Sequence, residues 1–151
     1  MKPVILSIVG FSVLITLCSL SEEEVFVSEL STLRTQFERL SEERVVDPAE
    51  AAMKLLETRY AKAIKAELEK EKAAGRLESV VALQEEQQRM ADGGEIPEDG
   101  TKPPPILAQL RSTYETEKAR IESEKAKNLE EIKTPYIARL KALEIELTKS
   151  D

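Results

Sequence analysis

The side chains in this sequence that could carry chemistry are carboxylates, amines, guanidiniums and three phenols, because histidine is absent and Cys18 is the single thiol. Histidine is the commonest general base near neutral pH and the commonest metal ligand, so its absence removes triads and imidazole-held metal centres. Cys18 lies inside an apolar N-terminal run, which leaves the rest of the chain without a disulfide or a thiolate site. The closest set of oxygen ligands is Asp92, Glu95, Glu98 and Asp99, which invites a reading as a calcium loop. Their spacing lacks the alternating ligands and central glycine of an EF-hand, so a solvated loop is expected instead. Carboxylate pairs abound elsewhere, yet acid–base work needs a cleft that perturbs their pKa values, and solvated rows of Glu offer none. The sequence therefore predicts no enzyme, with no catalytic residue, no cofactor and no metal ligand.

What remains is architecture. The chain has 151 residues, 34% of them charged, with three Phe, three Tyr and no Trp. That is room for one modest domain, and the large side chains that fill a compact core are scarce. The net charge is −7, or −8 without the segment that carries Lys2. An acidic balance argues against nucleic acid and anionic membrane surfaces as partners.

Lys2, the apolar stretch Val4 to Leu17, and Cys18-Ser-Leu-Ser21 before the acidic Glu22-Glu-Glu24 have the three-part layout of a secretory signal peptide. Ser19 and Ser21 supply the small residues, placing cleavage after Ser21 and the protein in the periplasm or outside the cell. The alternative is an uncleaved membrane anchor, for which the run is short. A lipoprotein cysteine is a weaker alternative, since Leu17 stands where such signals carry a small residue.

Beyond Ser21 the spacing is helical throughout, and the fold class predicted is all-α, with long helices forming an antiparallel, coiled-coil-like hairpin bundle. Phe26, Leu30, Leu33, Phe37 and Leu40 recur at four-three-four-three, the heptad pattern, and predict a helix over 22–44. Asp47-Pro48 offers an N-cap acceptor followed by proline in the first turn, predicting a second helix over 48–74. Gly75 fits a left-handed C-cap, so the chain is expected to reverse there into a third helix over 76–91. Glycines and prolines make 91–105 a linker. From Ile106 to Lys149 a thin stripe follows, with Leu107, Leu110, Tyr114, Ile121, Leu129, Ile132, Tyr136, Leu140, Leu143 and Leu147 among solvated positions. So narrow a stripe suits a seam against one or two other helices rather than a globular core. Five acid-before-base pairs support this last helix: Glu115-Lys118, Glu117-Arg120, Glu122-Lys125, Glu124-Lys127 and Glu130-Lys133. Thr134-Pro135 predicts a kink or a fresh start within 106–151.

Each tyrosine follows an aliphatic residue by four positions, and Leu56-Glu-Thr-Arg-Tyr-Ala-Lys-Ala-Ile-Lys-Ala66 resembles Ile132-Lys-Thr-Pro-Tyr-Ile-Ala-Arg-Leu-Lys-Ala142 in register. This echo predicts a duplicated helical unit. The first copy continues past Gly75, whereas the second reaches Asp151 at the equivalent point, as a chain that stops there or as a piece of a longer protein.

The run Tyr136-Ile-Ala-Arg-Leu-Lys-Ala-Leu-Glu-Ile-Glu-Leu-Thr-Lys-Ser-Asp151, behind Leu110-Arg-Ser-Thr-Tyr-Glu-Thr-Glu117, resembles the helical-hairpin segments of secreted proteins from planctomycete-like and verrucomicrobial bacteria. The resemblance covers 106–151 and, more weakly, 55–90. It implies bacterial export and helical hairpins, and brings no functional residues with it, since that group has no established activity.

The function expected is an exported helical module of structural or protein-interaction type, joining copies of itself or a partner helix, with no small-molecule substrate. Two alternatives remain at this stage: a periplasmic holdase similar to the small coiled-coil chaperones, whose usual basic charge is not matched here, and the stalk of a larger secreted protein.

Overall fold

The computed structural model describes residues 22–94, 96 and 102–150, so the readings of the N-terminal run as signal, anchor or lipidation site lie outside the described residues. Among the described residues every regular element is a helix: α1 (Glu22–Ser41), a π-helical turn (Glu42–Val46), α2 (Asp47–Ala73), α3 (Leu77–Ala91) and α4 (Pro105–Ser150). No helix among them is long and apolar enough to cross a membrane.

The sequence predicts a break between the first two helices, with Asp47 as N-cap; the structure carries the helix through. Asp47 has helical dihedrals, and its N–H donates to the Glu42 carbonyl, five residues back. An α-helical turn here would drive the Pro48 ring into the Arg44 carbonyl and leave that acceptor unmatched. Widening to a π-turn makes the room, and a helix of about 50 residues, roughly 75 Å long, continues from Glu22 to Ala73. The wider turn also points Val45 inward, where it is 2% exposed.

Reversal at Gly75 occurs as the spacing predicts. Gly75 has φ +69°, its N–H donates to the Lys72 carbonyl, and the N–H of Arg76 donates to Glu71, which together form a Schellman cap. Arg76 then folds its guanidinium back onto the Glu71 carboxylate with two bonds of 2.5 Å. Gly93 closes α3 with the same pattern, onto Met90 and, through Gly94, onto Arg89. Nothing lies within 4 Å of a Cβ built on Gly75, so Gly75→Ala meets only the left-handed backbone penalty. Its urea midpoint is expected to fall by the equivalent of about 1–2 kcal/mol at unchanged slope.

The second long helix, α4, is 46 residues, roughly 70 Å, and runs unbroken through Thr134-Pro135. The expected fresh start is not made. Thr134 turns its hydroxyl onto the Glu130 carbonyl at 2.9 Å, while the Glu131 carbonyl forgoes the N–H that Pro135 lacks. Two of the five expected charge pairs are closed, Glu117-Arg120 at 3.0 Å and Glu130-Lys133 at 2.9 Å.

Because Tyr60 meets Tyr114, Phe37 meets Tyr136 and Glu29 meets Arg139, α4 runs antiparallel to α1 and α2 along their length. The short α3 packs on α2 and, more lightly, on the start of α4. The rod therefore has a three-helix head and a two-helix arm. In the head, Tyr60, Ile64, Leu68, Leu83 and Leu107 are buried as one cluster. Along the arm, Phe26, Leu30, Leu33, Phe37, Leu40, Ile132, Tyr136 and Leu140 stay partly exposed, with Leu143 buried between them at 1%.

Candidate functional site

The most organised polar arrangement lies in the head, where three helices converge on Glu86. Its position follows from the α3 period: Val80, Leu83, Glu86 and Met90 are three, three and four apart, so Glu86 shares the face that α3 turns inward. Its side chain is fully buried.

Five hydrogen bonds reach its two oxygens. The Tyr60 hydroxyl of α2 donates to Oε1 at 2.7 Å. Arg89, one turn on in α3, donates to Oε1 at 2.5 Å and to Oε2 at 3.1 Å. Arg111 of α4 donates twice to Oε2, at 2.6 and 3.1 Å. Arg89 also bonds the Gly94 carbonyl, tying the node to the cap that ends α3.

Burial by itself would raise the Glu86 carboxyl, but donors from Arg89, Arg111 and Tyr60 outweigh it and hold the pKa down to about 2. Burial, then the bond to Glu86, pushes the Tyr60 phenol up. Glu86 is thus a charged acceptor with its lone pairs spoken for, a lock rather than a proton carrier. Since its folded pKa lies below its ordinary 4.5, its contribution to stability is complete above about pH 4.5 and is lost as pH falls toward 2. Wild type and Glu86→Gln are therefore expected to converge in urea midpoint across that interval, and the pH series of the two proteins checks it. The Glu71 carboxyl, held down by Arg76, changes in the same direction.

An apolar groove of about 540 Å³ runs between α2 and α4, lined by Leu55, Leu56, Ala63, Ile106, Leu110 and Ile121. Arg59, Glu67, Glu117 and Arg120 also line it. Leu55 is half exposed there.

At the arm the ion pairs are open to solvent. Arg34 bonds Glu38 at 2.8 Å, Arg139 bonds Glu29, and Glu146 lies 3.5 Å from Arg139. Phe37 stacks on Tyr136 with ring centroids 4.5 Å apart.

Among the described residues no group of three or more His, Cys, Asp or Glu is placed to hold a metal ion. Asp92 accepts from Gln88 at 3.0 Å, while Glu95, Glu98 and Asp99 of the linker lie outside the described residues. Sequence reasoning missed Glu86 and Arg111, whose identities look like those of any solvated helix face. The three-four spacing with Leu83 and Met90 was the available signal.

No family model, no curated protein and no solved structure matches this chain.

Proposed function

We propose that this is an exported coiled-coil protein that acts as a structural or protein-interaction module, and that it performs no catalysis. One observation carries the reading: α3 covers one apolar face of the paired long helices in the head, whereas along the arm Leu30, Leu33, Phe37, Tyr136 and Leu140 stay partly exposed. A seam of that width accepts a further helix, and the acidic, solvated outer faces keep the rod dissolved while it waits. The partner is protein, a copy of the chain or another helix. Export rests on the N-terminal layout and localises the partner to the periplasm or beyond.

A photo-reactive amino acid at Ile137 on the arm, compared with one at Gln84 on the outer face of α3, tests this in the native cell. Protein adducts are expected at Ile137 and not at Gln84, in the exported fraction. Equal labelling at both positions, or adducts confined to cytosol, would overturn the proposal.

A further inference from the structure

The head and the arm are two settings of one design. A constant shift along the sequence carries Leu30, Leu33, Arg34, Phe37 and Glu38 of α1 onto Leu107, Leu110, Arg111, Tyr114 and Glu115 of α4. A nearly equal shift carries Leu56, Tyr60 and Ile64 of α2 onto Ile132, Tyr136 and Leu140 of α4. Since the two long helices are antiparallel, these segments meet in the same pairing at each end. The rings confirm it: Tyr60 and Tyr114 lie 4.6 Å apart at 33°, and Phe37 and Tyr136 lie 4.5 Å apart at 24°.

In the head, the face formed by this pairing is covered by α3, which inserts Leu83 among Tyr60, Ile64 and Leu107 and offers Glu86 to Tyr60 and Arg111. The equivalents of those last two in the arm are Tyr136 and Arg34, which stands one helical turn before the Phe37 ring on which Tyr136 stacks. No described element covers them. Arg34 is 76% exposed, and its pairing with Glu38 is of the surface kind that an incoming carboxylate displaces at little cost.

We propose that the arm face of Leu30, Leu33, Phe37, Tyr136 and Leu140 is a docking site for an amphipathic helix of the α3 type from a partner protein, one that carries a leucine and, three residues on, a glutamate. The leucine enters between Leu30 and Leu140, and the glutamate accepts from the Tyr136 hydroxyl and the Arg34 guanidinium. Phosphate or an isolated carboxylate meets only half of this chemistry, since the apolar contact supplies the rest. The inference deepens the interaction reading by fixing which helix fits.

A fluorescent peptide of residues 77–91, with a photo-reactive group at the Leu83 position, is the probe for the full chain. Saturable binding is expected, with crosslinks to 30–37 and 136–143. Tyr136→Phe, which keeps the ring on Phe37, and Arg34→Ala are each expected to weaken binding about tenfold, as is Glu86→Gln in the peptide. Lys141→Ala, on an exposed position, leaves it unchanged. Absent binding, crosslinks to the head alone, or indifference to Tyr136→Phe would overturn the proposal. Self-association of the chain that Tyr136→Phe abolishes would put a second copy on this face and overturn it too. If the peptide fails while Ile137 still captures protein in the cell, the interaction reading stands and the α3-type occupant falls.

Discussion

Glu86→Ala is expected to cost about 3–5 kcal/mol of folding stability, the loss typical of stripping one partner from a buried ion cluster. The reason is the charge left behind. With the carboxylate gone, Arg89 and Arg111, whose side chains are only 16% and 20% exposed, face each other across a low-dielectric gap. The Tyr60 hydroxyl loses its acceptor as well. Replacing Glu86, Arg89 and Arg111 together with Leu, Met and Met is expected to restore most of the loss, because it removes the charges along with their attraction. Urea unfolding of the single and triple variants separates the two cases. The node joins α3 to α2 through Tyr60 and to α4 through Arg111.

Ile64→Ala is expected to cost about 2–5 kcal/mol, since Ile64 is completely buried among Tyr60, Leu68 and Leu83 and truncating it leaves a cavity in that cluster. Leu33→Ala, in the partly exposed seam of the arm, is expected to cost less than half as much, because water already reaches that side chain. Thermal unfolding of the pair reads the difference between a covered seam and an open one. Equal losses would mean that the arm is as well packed as the head.

How far the fold was legible depends on which signals are local. The four-three spacing of Phe26, Leu30, Leu33, Phe37 and Leu40 belongs to one helix face, and α1 forms where it says. Gly75 has a left-handed role that few residues can fill, and the chain turns there. Asp47-Pro48 misled because the same dipeptide serves a helix start and a π-turn; only the need of Val45 to reach the core distinguishes them. Thr134-Pro135 was ambiguous for the same reason: a lost backbone bond is tolerable inside a helix that packs along a long partner. Glu86 was illegible by type, since burial of a carboxylate depends on arginines that come from α3 and from the distant α4. The echo around Tyr60 and Tyr136 was visible in the sequence, but the matching one around Arg34 and Arg111 acquires meaning only when the antiparallel pairing brings each half beside the other.

Antiparallel pairing of the two long helices underlies the head, the arm and the open face alike. Spin labels on cysteines at Gln36 and Lys133, both exposed positions, in a Cys18→Ser background, test it by pulsed electron resonance. Helix axes about 8–10 Å apart, with side chains filling helix diameters of about 10–12 Å, place the labels within about 22 Å in one narrow peak. A broad distribution, or a peak beyond about 40 Å, lies outside anything that packing distance permits and would contradict the account.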